Sequence, residues 1–310
     1  MTSKIKNIFH LLRVRQYYKN TLIFVGIFFS QRLFDISLYF HIFIGFILLC
    51  CASSFNYIIN DIRDIESDKL HPEKLKKKPL ASGALSLHFA IFLLIILAGL
   101  MILFPIFIMI LFPIFIIPNI AFSFMILLII VTGQLYNYIF KNYVFIDILI
   151  LSTGYLWRAL AGCMIIEEYV SPWLLLAIFE IAIFLSIAKR KGDLIILGKD
   201  TAIEHKKVYD QYSQKLLDQF YVIVAGSLFL TYSLYLINRF KLDEPGFPSI
   251  FEYLSILTIP IALYILMRYM YLTSAKPEIA RNTEKAFLDK GIIIAALILM
   301  IILFFSFYFN

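Results

Sequence analysis

The sequence predicts an all-α, polytopic membrane protein, and three observations carry that reading. Hydrophobic residues make up 61% of the 310 and charged residues only 16%, against about 45–50% and about 25% in soluble domains. Mean hydropathy is +0.86, too apolar for a single core covered by a water-facing surface. Apolar runs of about 20 residues, the length that crosses a bilayer, recur along the whole chain. Intrinsic disorder, a disulfide scaffold and a soluble enzyme are excluded on the same grounds.

The runs give nine transmembrane helices, at about 20–35, 38–59, 87–109, 114–134, 144–166, 172–190, 216–237, 250–272 and 286–309, and residues 1–310 read as one transmembrane domain. The first run is short and carries Arg32. The third and fourth are separated only by Pro105, Pro113 and Pro118, which suits a tight apolar hairpin. Cys50, Cys51 and Cys163 all lie inside apolar runs as small hydrophobes, with neither a CxxC pair nor a Cys/His metal spacing. Lys4 and Lys6 are followed by Arg13, Arg15 and Lys19, which interrupt the apolar core a cleavable signal needs.

Charge placement gives the orientation. Of the 28 Lys and Arg residues, 23 fall before the first span or after the second, fourth, sixth and eighth, and only Arg32, Arg239 and Lys241 fall on the other face. By the positive-inside rule the N-terminus is expected in the cytoplasm and the C-terminus outside, in the cytoplasmic membrane. Topology accounts for the net charge of +7, so no nucleic-acid partner is expected. It does not account for carboxylates. The loops at about 60–86 and 190–215 hold Asp61, Asp64, Glu66, Asp68 and Glu73, and Asp193, Asp200, Glu204 and Asp210, with Asp218 just beyond.

The second span ends in Asn60-Asp61-Ile62-Arg63-Asp64-Ile65-Glu66-Ser67-Asp68. On a continuing helix Asp61, Asp64 and Asp68, three and four residues apart, share one face, and Asn60 joins its edge. Like charges crowded where a span leaves the bilayer call for a cation. Hard oxygen ligands with room for water and phosphate suit Mg²⁺; the bland alternative is a solvated acidic helix end. Lys76-Lys77-Lys78-Pro79-Leu80-Ala81-Ser82-Gly83 follows, and Mg²⁺ beside lysines is what a leaving diphosphate needs.

The string Asn60–Asp68 with Lys78-Pro79-Leu80-Ala81-Ser82-Gly83 resembles the first signature of the UbiA-type intramembrane prenyltransferase superfamily. The resemblance implies a helical bundle with a membrane-embedded cavity on the cytoplasmic side, where Mg²⁺ holds a diphosphate departing from an electrophilic carbon. A second aspartate-rich motif, usual after the sixth span, is replaced by Ala188-Lys189-Arg190-Lys191-Gly192-Asp193-Leu194, whose helical spacing gives two cations and one acid a common face. With Arg13-Val14-Arg15-Gln16-Tyr17-Tyr18-Lys19-Asn20, Tyr136 through Lys141, and Arg158-Ala159-Leu160-Ala161-Gly162, this is similar to the decaprenyl-phosphate phosphoribosyltransferase branch. Val14, Tyr17 and Asp193 depart from its pattern.

That branch implies transfer from 5-phosphoribosyl 1-diphosphate to a polyprenyl phosphate, with diphosphate released. By position Asn60, Asp61, Asp64 and Asp68 would hold Mg²⁺ and diphosphate. Lys19, Lys78, Lys141, Lys189 and Arg190 would neutralise phosphates, Tyr136 and Tyr212 would hydrogen-bond sugar or phosphate, and Asp193 would orient cations or ribose. For each of the lysines, membrane topology is a competing explanation. Arg158 and Glu180 lie at comparable depths inside spans and suit either a buried ion pair or, for Arg158, a substrate contact; Asp147 suits a simple interfacial residue. Two rival functions remain. A prenyltransferase with an aromatic acceptor is disfavoured by the missing second motif. A transporter is disfavoured because the Asn60–Gly83 pattern has no second copy.

Overall fold

In hydrocarbon a backbone must satisfy its own hydrogen bonds, and an apolar segment does so as a helix. The computed structural model describes residues 2–69, 75, 77–111, 120–242 and 249–309, and among them there is no strand. The chain runs through α1 (Thr2–Leu12), a 3-10 segment (Val14–Phe24), α2 (Val25–Phe29), α3 (Ile36–Arg63), α4 (Ile65–Lys69), α5 (Leu87–Leu111) and α6 (Ile120–Tyr138). A 3-10 turn (Phe140–Asn142), α7 (Ile146–Ile165), α8 (Pro172–Leu197), α9 (Lys199–His205) and a second 3-10 turn (Lys207–Asp210) follow. After them come α10 (Gln214–Phe240), α11 (Ile250–Ile256), α12 (Thr258–Ala275), α13 (Pro277–Arg281), a third 3-10 turn (Thr283–Leu288) and α14 (Lys290–Tyr308).

Helix starts follow capping chemistry. The side chain of Asp35 accepts from Ser37 N before α3, Ser213 accepts from Leu216 N before α10, and Asp289 accepts from Ile292 N before α14. Ser249 and Glu252 form a reciprocal capping box at α11. Each satisfies amide groups that a helix start leaves unpaired.

Among the described residues seven segments are long and apolar enough to cross a membrane, with α11 and α12 counted together as Ile250–Ala275. The chain is a multi-pass membrane protein. Two of the nine runs expected from sequence are not among these seven. Leu87–Leu103 is apolar but falls short on its described residues, and the first run is no single α-helix. Asn20 and Thr21 interrupt its apolar pattern, with Thr21 Oγ1 donating to Tyr18 O at 2.6 Å, and the backbone there is 3-10. Its 11 residues rise about 22 Å at about 2.0 Å each. Pro113 and Pro118 of the expected hairpin, and Glu73, Lys74 and Lys76, lie outside the described residues.

The helices gather into two compact units, Met1–Tyr138 with Trp157–Tyr169, and Ile139–Leu156 with Val170–Asn310. In the first, α3 packs against α1, the 3-10 segment, α5 and α6, around buried Ile23, Ile42, Leu49, Phe122 and Ile165. A Cβ on Gly162 would lie 2.0 Å from Ile23 O. Only glycine permits that approach, which seats Arg158, one turn earlier, beside Asn20. In the second unit α8 packs against α10 and α13. There Phe184 stacks on Tyr221 with centroids 4.4 Å apart, in a core that also buries Tyr209, Tyr212 and Leu217.

Candidate active site

The acidic motif sits where α3 stops. Asp64 leaves helical geometry at φ −90°, ψ 7°, and α4 resumes at Ile65. The expected single carboxylate face is therefore broken at its middle member. Asp64 N still donates to Asn60 O at 3.0 Å and Asp68 N to Asp64 O at 2.8 Å, so the chain keeps turning and brings Asp68 back to Asp61. The acids divide between cations. Lys78 Nζ lies 3.1 Å from Asp61 Oδ1 and also bonds Asp68 Oδ2. Arg63 bonds Asp64 at 3.1 Å and Asn60 Oδ1 at 3.3 Å. Three like charges on one face repel; splitting them over two cations relieves that.

Asp61 is further held by Arg13 Nη2 at 2.8 Å, and the Arg13 guanidinium lies 4.4 Å from the Tyr57 ring centre. The two carboxylate side chains are almost sealed, 3% exposed for Asp61 and 1% for Asp68, while Arg13 is 31% and Lys78 19% exposed. Lys78 is aimed by the turn that follows. Gly83 N donates to Leu80 O at 3.2 Å and Leu85 N to Pro79 O at 3.1 Å, and Gly83 takes φ +72°, where glycine carries no penalty. Leu80 and Leu85 pack with Leu11 and Ile58. The Lys-Pro-Leu-Ala-Ser-Gly run is thus a turn, anchored by buried Pro79, Leu80 and Ala81, that holds one lysine against two acids.

Mg²⁺ takes one or two carboxylates and completes its shell with water and phosphate oxygens. Among the described residues no group of three or more His, Cys, Asp or Glu side chains is gathered as a ligand set. The buried pair of hard oxygen donors, Asp61 and Asp68, nevertheless fits the ion. The positive charge it requires is supplied in this structure by Lys78 and Arg13.

A second polar cluster lies inside the same unit. Arg158 Nε donates to Asn20 Oδ1 at 2.7 Å and its Nη2 to Ser53 Oγ at 3.2 Å, while Asn20 Nδ2 donates to Cys50 Sγ at 3.2 Å. Asn20 and Ser53 are thus two partners of this arginine. Glu180, in the other unit, accepts from Ser227 Oγ at 2.5 Å. Lys19, half-buried, has its ammonium 5.9 Å from the Tyr18 ring centre, and Tyr136 is half-buried on α6.

The second unit holds a different arrangement. Arg190, 2% exposed, bonds Asp147, 0% exposed, through Nη2 at 2.8 Å and Nε at 2.9 Å. Tyr212 OH donates to the other Asp147 oxygen at 2.6 Å and accepts from Phe145 N at 2.8 Å. Tyr209 OH donates to Asp193 Oδ2 at 2.6 Å, and Arg281 reaches Asp193 Oδ1 at 3.2 Å. Burial pushes the Tyr209 and Tyr212 hydroxyls well above the ordinary phenol value, for Tyr212 with help from the carboxylate it bonds; both stay protonated.

Asp147, expected at an interface, is instead fully buried. Lys189 and Arg190 do not share a face with one another. Lys189 is exposed and Arg190 buried, since neighbours on a helix point about 100° apart. Lys141 is half-buried in the turn Phe140–Asn142. Sequence reasoning assigned no role to Arg13, Arg63, Tyr209 or Arg281. Arg13 opens a quoted motif and was open to assignment, whereas nothing in the spacing marks Arg281 as the partner of Asp193.

Among curated proteins, decaprenyl-phosphate phosphoribosyltransferase of Mycolicibacterium smegmatis is 28% identical over 202 residues, covering 65% of this chain and 59% of the relative. That of Corynebacterium glutamicum is 26% identical over 232 residues, covering 72% and 65%. The chain thus spans about three fifths of the length of the curated relatives it matches. A solved structure of a UbiA homolog from Archaeoglobus fulgidus bound to DMAPP and Mg²⁺ superposes with TM-score 0.66 at 17% identity, covering 97% of this chain and 98% of that one. A structure from work on digeranylgeranylglyceryl phosphate synthase gives 0.63 at 19%, covering 99% of each. At such identities the likeness shows the fold. Residues 21–287 match the UbiA prenyltransferase family, and the chain belongs to that family.

Proposed function

We propose that this chain, acting as one functional domain across nine crossings, moves a 5-phosphoribosyl group from phosphoribosyl diphosphate to a polyprenyl phosphate. The observation that carries the reading is the sealed Asp61–Asp68 pair clasped by two cations from separate segments, Lys78 and Arg13. The names of the mycobacterial and corynebacterial relatives support the choice of donor and lipid. In the step itself a lipid phosphate oxygen forms a bond to the anomeric carbon. The bond from that carbon to diphosphate breaks, and diphosphate leaves with the electron pair. The nucleophile is already ionised at neutral pH, so no strong general base is required.

Mg²⁺ bound by Asp61 and Asp68, with Asn60 and Asp64 at the edge, would supply charge neutralisation to the leaving diphosphate. Lys78 and Arg13 exchange carboxylate contacts for phosphate ones as donor arrives. Lys19, Lys141 and the exposed Lys189 contribute further positive charge toward phosphates, and Tyr136 a hydroxyl. Arg158, bonded to Asn20 and Ser53, would contact an anionic substrate group. Arg190, Asp193 and Tyr212 act as positioning residues through Asp147 and Tyr209. Catalysis rests on orientation and fixed charge, in a site facing the cytoplasm, with the N-terminus on that side and the C-terminus outside.

Purified protein with Mg²⁺, radiolabelled phosphoribosyl diphosphate and a polyprenyl phosphate tests this directly. Label entering the organic phase is expected. No label in the organic phase, with a parallel assay showing transfer from a labelled allylic diphosphate to an aromatic acceptor, would overturn the reading in favour of an ordinary prenyltransferase.

A further inference from the structure

Helix α6 carries a buried acceptor that the acidic cluster does not use. Gly133 leaves room for the Asn56 amide that orients it, since a Cβ there would lie 2.5 Å from Asn56 Nδ2. Asn56 Nδ2 donates to Ile129 O at 3.0 Å, which fixes that amide with its oxygen facing the other way. Gln134 Nε2 donates to this oxygen at 2.6 Å, which fixes the second amide in turn. Flipping Gln134 would set two carbonyl oxygens against each other, and flipping Asn56 would set its oxygen against that of Ile129. Gln134 Oε1 is therefore committed to pointing away from Asn56. It is buried, with no hydrogen-bond partner among the described residues. Native structures rarely leave such an atom unmatched without a reason.

Its surroundings supply one. Asn56 lies one turn before Asn60 on α3, and Tyr138 lies one turn after Gln134 on α6. Arg63, which bonds Asn60 and Asp64, has its guanidinium 4.6 Å from the Tyr138 ring centre. The stripe Gln134–Tyr138 therefore borders the stripe Asn56–Asn60–Arg63, and Gln134 lies one helical turn along α6 from the contact with Arg63 at the acidic motif.

We propose that Gln134 Oε1 receives a hydroxyl of the sugar donor, making Gln134 a residue that selects a ribosyl group over a hydrocarbon one; the inference rests on the phosphoribosyl reading. A carbonyl oxygen can only accept. A ribosyl diphosphate carries hydroxyls close to the carbon that loses diphosphate, whereas an isoprenyl diphosphate carries none and would leave the acceptor buried and unpaired. A site built to bond a hydroxyl rejects analogues that lack it.

The test measures binding of 5-phosphoribosyl 1-diphosphate and of inorganic diphosphate to the full chain with Mg²⁺, for wild type and Gln134→Met. Both ligands offer a diphosphate to the acid pair and Lys78; only one offers hydroxyls. The preference for the ribosyl ligand should fall by about tenfold in the variant, the worth of one hydrogen bond, while diphosphate binds as before. An unchanged preference, equal weakening of both ligands, or no preference in wild type overturns the assignment. Gln134→Asn keeps the amide one methylene shorter and should give an intermediate preference, which decides the matter if the Met variant does not fold. A Gln134-dependent preference without transfer to lipid would overturn the proposed reaction and leave this assignment standing.

Discussion

Two charged clusters, one in each unit, look alike in sequence: each gathers aspartates and basic residues around the end of a long apolar span. Their physics differs. At Asp147 both oxygens are bonded, one by buried Arg190 and one by Tyr212, and the donors sit on packed elements. At Asp61 and Asp68 the partners are long side chains that keep 31% and 19% of their surface exposed. The acids are sealed at Asp61–Asp68 and at Asp147 alike; what separates these two pairings is whether the cation is. A cation with a route to water can let go and be replaced, as a site for Mg²⁺ and diphosphate requires. A sealed one cannot, because parting would leave two ions in low dielectric.

The largest effect that tests this contrast comes from Asp61→Asn. Turnover should fall at least about 10³-fold, the scale of losing a fixed charge at a reacting centre. The melting temperature should move little, because Arg13 and Lys78 can rehydrate. If the variant instead unfolds as readily as one at Asp147, the contrast between exchangeable and permanent pairs is broken.

Arg190→Met should do the reverse. It strands Asp147 without its charge partner, a loss of about 3–5 kcal/mol for a broken buried pair. Adding Asp147→Leu should recover much of that, because no charge then remains to be compensated. Thermal unfolding of the two variants in detergent measures both. Recovered stability with recovered turnover would assign the pair to architecture. Recovered stability without turnover would give Arg190 a part in the reaction beyond holding its neighbour.

The same contrast explains how much was legible in advance. The all-helical, multi-pass character follows from composition, and α3 covers the expected 38–59 run because nothing polar interrupts its apolar centre. The kink at Asp64 was not legible. Spacing of three and four assumes an unbroken helix, and the repulsion that breaks it depends on where Lys78 and Arg63 fall in space. Lys78 was found because its motif is contiguous with the acids. Asp147 was misread because its partner stands 43 residues away, and separations of that kind leave no periodic trace. Charge patterns along one helix are readable; charge matches between helices are not.

Lys78→Met sharpens the contrast at smaller scale, with two effects of opposite sign. Removing the ammonium leaves Asp61 and Asp68 less compensated, so Mg²⁺ alone should bind about tenfold tighter, about 1.4 kcal/mol. Diphosphate, which loses a cation, should bind about tenfold more weakly. Isothermal titration with each ligand separately reads both signs. Weakening of both would mean that Lys78 only shapes the site, whereas the proposed exchange of partners demands the crossed result.

The smallest effect belongs to the sealed cluster and appears only at high pH. Folding raises the Tyr209 and Tyr212 values above the roughly 10 of an unfolded tyrosine. Below pH 10 both are protonated folded or unfolded, and their contribution is intact. Above it the unfolded chain gains by ionising while the folded chain does not, so stability drains away as pH climbs toward the raised folded values. Wild type should therefore lose stability above pH 10 more steeply than Tyr209→Phe/Tyr212→Phe, though the variant starts about 1–3 kcal/mol lower at neutral pH from lost hydrogen bonds. Parallel curves would mean that these hydroxyls reach water, and the second cluster would then be as open to exchange as the first.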